Sequence, residues 1–291
     1  MAETFDGDWL ALREPFDAAS RSVALAQRLG AALPARARLI DLGAGTGSLF
    51  RWLAPILDRP QEWTLADADA ALLERAFAEI SRWATSRGLP VTATASSMVV
   101  RTPKGAWKVE AEVVDLAAPL SGLGLNRRDA VVCSALLDLV SAEWITEMAA
   151  VLKKPLLACL SVDGCDRLYP AHPVDRMVFS GFRRDQQRNK GLGVALGPKS
   201  PEALRAAFAA RGWSVREAAS DWRIPADAAD MLDMLVASHG EVAARRLRDR
   251  REMVRAWARL RAKQVDRGLL AMRVGHRDSL ALPPGLVIEG E

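Results

Sequence analysis

The sequence predicts an α/β fold: a doubly wound, mostly parallel seven-stranded sheet, with an antiparallel last strand and a helical insertion between the last two strands. Three observations predict it. Short apolar runs alternate with longer amphipathic ones, the pattern of strand and crossover helix. The first run, Arg38-Leu39-Ile40-Asp41-Leu42, passes directly into Gly43-Ala44-Gly45-Thr46-Gly47 and then into an amphipathic stretch from Ser48, so strand, tight turn and helix follow without a gap. Later runs such as Asp129-Ala130-Val131-Val132-Cys133-Ser134 are apolar throughout, as strands buried on both faces are.

The 291 residues, half of them hydrophobic, supply one large core with an appended part. A net charge of +4 does not by itself argue for nucleic acid. Cys133, Cys159 and Cys165 are odd in number and match no disulfide framework or zinc spacing, so no metal is expected and the chain reads as cytoplasmic and reduced. Met1 to Trp9 carries Glu3, Asp6 and Asp8, unlike a signal peptide. No apolar run reaches the ~18 residues of a membrane span.

Residues 1–37 are expected to form an N-terminal helical cap. Its helix, over 9–33, has Leu10, Phe16, Leu25 and Leu29 on one side, is interrupted by the charges of 13–17, and is followed by Pro34. The glycine turn opens the sheet domain, assigned to 38–220 and 268–291. Glycine suits a sharp turn that must approach a ligand closely. Its spacing is G-x-G-x-G, not the G-x-G-x-x-G of a dinucleotide site, because Ser48 stands where the last glycine would be. Asp41 just ahead of it would repel a pyrophosphate and suit an ammonium group. Trp63 to Ala66 is the second strand, closed by Asp67, which lies 20 residues past Gly47. An acid at that separation takes ribose hydroxyls in this kind of fold. Helix capping is the competing role, for which Asp69 is the better placed residue.

The helix over 69–87 stops at Gly88. Val91 to Thr94 and Trp107 to Val114 alternate, with Pro103-Lys104-Gly105 as a turn, and suggest a hairpin-like elaboration of the third strand, ending at Asp115. The fourth strand, a helix over 142–153 and the strand Leu156 to Val162 follow. Residues 163–199 show no period and leave the carboxyl end of a strand. This stretch, holding Tyr169, His172, Arg183, Arg184, Asp185, Gln186 and Lys190, reads as a substrate loop or lid. A helix to Gly212, a strand from Trp213 to Ala218, the insertion over 221–267 with a break at Gly240, and a last strand over 269–282 with an irregularity at Gly275 complete the chain. Residues 241–267 carry nine arginines and Lys263 against Glu241, Asp249, Glu252 and Asp266, a net of +6 that leaves −2 on the rest. Leu247, Val254, Trp257 and Leu260 would form an apolar stripe. The plain reading is a solvated helix face; the sharper one is contact with RNA or an acidic carrier protein.

The glycine turn with Asp41, then Asp67, Asp115 and the order of strands, resembles the class I methyltransferases that use S-adenosyl-L-methionine (SAM). The resemblance implies SAM as cofactor and transfer of its methyl group by in-line displacement. It places Asp41, Gly43, Ala44, Gly45 and Gly47 by the methionine portion, Asp67 and Ala68 by the ribose, Asp115 and Leu116 by the adenine, and Cys133 and Ser134 at the end of the fourth strand. It also implies that residues 135–141 lie beside the transferred methyl. Cys133 itself reads as a buried structural thiol. Asp138 and His172 are the candidate catalytic bases. The absence of an Asn/Asp-Pro-Pro-aromatic segment favours a small-molecule acceptor. Nucleic acid is left open but not favoured, as are a protein acceptor and a SAM-binding module without catalysis.

Overall fold

The computed structural model describes residues 6–94, 96–189 and 191–286, so Lys190 lies outside the described residues. The N-terminal part is two helices, α1 (Gly7–Ser20) and α2 (Val23–Ala31). The expected break among the charges of 13–17 falls instead at Arg21, where Ser22 caps α2 by accepting from Leu25 N–H at 3.3 Å. The charges of α1 are used internally. Glu14 accepts from Arg51 Nε at 2.8 Å, and Arg13 and Trp222 both donate to Asp17.

The sheet domain continues through β1 (Ala37–Leu42), α3 (Ser48–Leu57), β2 (Gln61–Asp67), α4 (Ala70–Ser86), β3 (Val91–Ala93), β4 (Ser97–Thr102), β5 (Gly105–Val113), β6 (Ala130–Ser134), α5 (Ala142–Val151) and β7 (Leu156–Val162). Then come β8 (Arg167–Tyr169), α6 (Asp175–Gln186), α7 (Ser200–Ala209), β9 (Ser214–Ala219), β10 (Trp222–Ile224), α8 (Ala229–Arg246), α9 (Arg251–Asp266), β11 (Ala271–Val274) and β12 (His276–Leu282). No described helix is long and apolar enough to cross a membrane.

Among the described residues the central sheet has nine strands in the order β3-β4-β5-β2-β1-β6-β7-β12-β9, not seven. The two extra strands are at one edge. Residues between Thr94 and Pro103, to which the sequence assigned no strand, form β4, which pairs antiparallel with both β3 and β5 and buries Met98 and Val100. The other seven strands match the expected sheet, with β12 running antiparallel between β7 and β9. In β1, Leu39 joins the core beneath α2, α3 and α4, while Ile40 and Leu42 join the core beneath α5 and α7. That alternation is what a central strand covered on both faces requires.

Residues 163–199 are not an irregular loop, and residues 221–267 are not purely helical. β8, β10 and β11 form a second, three-stranded sheet, and α6 packs on α8, which packs on α9. The two segments, expected to be separate, build one unit. Its clamp is an ion pair inside it: Arg261 donates to Asp175 at 2.6 and 2.7 Å and Trp257 Nε1–H to the same carboxylate at 2.7 Å. Arg261 therefore belongs to no solvated face, and Leu260, placed in the apolar stripe by period, is exposed. Gly240 lies inside α8 and the break falls at 247–250. Gly275 marks the crossing from the small sheet to the large one; the irregular pairing within β12 is between Arg277 and Ser279.

Candidate functional site

The carboxyl ends of β1, β2, β5 and β6 open onto a cavity of about 450 Å³. Doubly wound sheets bind ligands at this end. The turn after β1 makes the floor. Gly43, Gly45 and Gly47 have φ of +68°, +52° and +77°, a region that favours glycine. Gly43 and Ala44 N–H both donate to Ala66 O, which holds the turn against β2.

Asp41, Gly43, Ala44, Gly45, Asp67, Ala68, Asp115, Leu116 and Ser134 all line the cavity. Gly47 and Cys133 do not. A Cβ on Gly47 would come 3.1 Å from Ile80 Cδ1, so this glycine serves the packing of α3 on α4. Cys133 is buried, and burial pushes its thiol up from the ordinary value, with Asp41 and Asp138 adding to the rise. Asp67 holds the turn, accepting from Gly45 N–H at 2.8 Å and from Asp69 N–H at 3.0 Å, while Asp69 caps α4. Asp115 is exposed at the rim and accepts from Ala117 N–H.

Neither candidate base lines the cavity. Asp138 offers its carbonyl to Gly197 N–H. His172 is in the turn before α6, where its Nδ1 accepts from Val174 N–H at 3.2 Å and its own N–H donates to Asp175. Of the other residues noted in 163–199, Tyr169, Arg183, Arg184, Asp185 and Gln186 are also away from the cavity. Among the described residues of that stretch, Gly191 and Leu192 alone reach it. They form part of the wall, pinned where Ser141 N–H donates to Leu192 O at 3.0 Å and where Gly193 passes tightly over Ser141. Ala135, also in the cavity wall, has a φ of +52°, a strained conformation for a residue with a Cβ.

The sequence reading missed the contribution of α1 and its C-terminal end. Leu10, Arg13, Asp17 and Arg21 close one side of the cavity. Arg21 is 3% exposed and donates to Ser48 Oγ at 3.1 Å and Ser134 Oγ at 3.0 Å, joining the glycine turn to the end of β6. The available signal was Ser20-Arg21-Ser22, a cap pair bracketing an arginine between two helical runs.

Asp41 decides the chemistry. It is 1% exposed, and neither carboxylate oxygen has a hydrogen-bond partner among the described residues. Burial lifts it from 3.8 to about 8, against the pull of Arg21 and with a push from Asp67. Arg21 Nε is likewise buried without a partner. Unmet buried polar groups are costly and rare, and in a cavity wall they mark what a ligand would satisfy.

No protein-family profile matches the chain. A stretch of 59 residues is 46% identical to the biotin biosynthesis bifunctional protein BioCD of Bordetella avium (strain 197N), covering 20% of this chain and 12% of that protein. Among solved structures, a SAM-dependent methyltransferase from Thiobacillus denitrificans in complex with S-adenosyl-L-homocysteine is 20% identical, with a TM-score of 0.40 over 88% of this chain and 90% of that one. A SAM-dependent methyltransferase from Geobacter sulfurreducens, also in complex with S-adenosyl-L-homocysteine, is 16% identical, with a TM-score of 0.41 over 89% and 90%. An O-methyltransferase family protein from Burkholderia thailandensis is 15% identical, with a TM-score of 0.44; 96% of this chain covers 59% of that one.

Proposed function

We propose that the cavity binds S-adenosyl-L-methionine and that the protein is a methyltransferase acting on a small, largely apolar acceptor. The observation that carries this reading is the buried pair Asp41 and Arg21 beside a glycine turn: a carboxyl with no hydrogen-bond partner among the described residues, and a guanidinium whose Nε has none. An amino-acid zwitterion would satisfy both: its ammonium at Asp41 and its carboxylate at Arg21. A dinucleotide offers neither group. Asp67 at the end of β2 suits the ribose hydroxyls and Asp115 with Leu116 the adenine.

Bound SAM would supply an electrophilic methyl on a sulfonium. The residues of this chain hold and orient the two reactants; in-line placement alone is worth several kcal/mol of barrier, up to about 7–11. Among the described residues, the cavity wall has no His, Cys, Tyr, Lys or Glu. Asp17 is engaged by Arg13 and Trp222, and Asp69 by the start of α4. The site therefore works by positioning, and the acceptor brings a lone pair that needs no enzymic base. Leu10, Leu72, Leu136, Leu139 and Leu192 give the wall its apolar character.

Asp67 separates a binding role from a scaffold role. Asp67→Ala is expected to weaken binding of S-adenosyl-L-homocysteine by about 1–3 kcal/mol, the range for losing a charged hydrogen-bond partner. Isothermal titration of the folded variant measures it. Unchanged affinity would restrict Asp67 to holding Gly45 and Asp69.

A further inference from the structure

The α8–α9 hairpin carries a second feature that methyl transfer does not use. Arg251, Arg255 and Arg259 stand on successive turns of α9, all exposed, and Lys263 continues the row. Residues four apart on a helix are separated by about 6 Å along the axis. Arg245 faces this row from α8 across a floor of Gly240, Ala244 and Ala258; with Glu241, Arg251, Arg255 and Arg259 these residues line a groove of about 490 Å³, and Lys263 lies beyond its end. The floor is narrow because the helices meet closely: a Cβ on Gly240 would lie 3.0 Å from Ala258 Cβ.

Two of these arginines have carboxylate partners: Arg245 with Glu241 at 2.8 Å and Arg255 with Glu252 at 2.9 Å. No ion pair among the described residues engages Arg251 or Arg259. We propose that this groove binds a single strand of nucleic acid through its phosphates, without reading its sequence. The row presents a cation about every 6 Å, a spacing an extended phosphodiester strand can follow, and the guanidinium fork matches a phosphate.

One feature of the groove favours a strand over an acidic protein helix. Protein interfaces need a buried aromatic or aliphatic anchor at their centre, and this floor offers only glycine and alanine. The same floor lacks an aromatic ring to stack a base, which is why the contact is to backbone alone. The inference stands independently of the methyltransferase reading, since none of the groove residues lines the cavity under the sheet.

The test is fluorescence anisotropy with a labelled 15-nucleotide oligouridylate across a salt series. Four phosphate contacts predict a slope of log K against log salt of about −3 for a single strand. The double variant Arg251→Glu/Arg259→Glu, both on the surface, is expected to bind at least ten-fold more weakly at low salt and to flatten the slope, with an unchanged circular dichroism melt. Poly-L-glutamate at equal charge concentration should compete poorly. Absence of binding at low salt, a variant that binds within two-fold of the parent, or displacement by poly-L-glutamate as effective as by unlabelled strand would each overturn the proposal, the last in favour of an acidic protein.

Discussion

Replacing Arg261 by alanine is expected to lower the stability of the fold by about 3–5 kcal/mol, the range for breaking a buried ion pair by removing one partner. Arg261 is fully buried and its guanidinium also reaches Pro170 O and Gln264, so the deletion leaves Asp175 with only Trp257 and a backbone donor. A domain holds roughly 5–15 kcal/mol in total, so at least about a fifth of it would go. In urea the midpoint should fall with little change of slope. Under conditions where the variant remains folded, its affinity for S-adenosyl-L-homocysteine should stay within about two-fold of the parent, because Arg261 lies outside the cavity wall. A stability loss below about 1 kcal/mol would show that the pair adds little beyond the packing around it.

The second large effect concerns the charges in the cavity. Arg21→Ala is expected to cost about 2–5 kcal/mol of affinity for S-adenosyl-L-homocysteine, the range for truncating one member of a buried charge pair. Asp41→Asn should cost a similar amount while keeping the shape of the site. The control is 5′-methylthioadenosine, which has neither ammonium nor carboxylate; both variants should bind it as the parent does. Equal losses for both ligands would place the effect on the fold of the cavity and not on the amino-acid moiety.

The Asn variant has a further signature. Folded, empty protein keeps a proton on Asp41 up to about pH 8, whereas the unfolded chain loses it near 3.8. The folded state thus binds more protons between these values, and the stability that this gives is present below about pH 4 and is lost as pH rises through 8. Asp41→Asn removes the dependence, so relative to the parent it should gain stability from pH 6 to pH 9 while losing affinity. Such opposition between stability and binding is common where a site holds an unmet polar group.

What the sequence showed was the part with strict local rules. Three glycines in five positions, an acid ahead of them and acids at two later strand ends need no tertiary contact to be recognised. β4 was hidden because Ser96-Ser97 and Pro103 bracket it with turn residues, leaving only Met98 and Val100 to mark its buried face. Gly240 looked like a helix stop, but its lack of a side chain serves the close approach of α8 to α9. Arg261 looked solvated because its partner, Asp175, is 86 residues away. His172 and Asp138 were picked by residue type alone. The place of His172 is set by the packing of α6 on α8, a contact between segments far apart in sequence. Arg21 was missed for a related reason: its neighbours Ser48 and Ser134 come together only in the folded sheet.

The most direct test of the account is a calorimetric titration of S-adenosyl-L-homocysteine at pH 7 in two buffers of different ionisation enthalpy, with NAD titrated alongside. The account predicts saturable binding of S-adenosyl-L-homocysteine with release of nearly one proton per site, as the ligand ammonium takes the place of the proton on Asp41, and no heat with NAD. Binding of NAD without a response to S-adenosyl-L-homocysteine would contradict it, and so would S-adenosyl-L-homocysteine binding that takes up a proton.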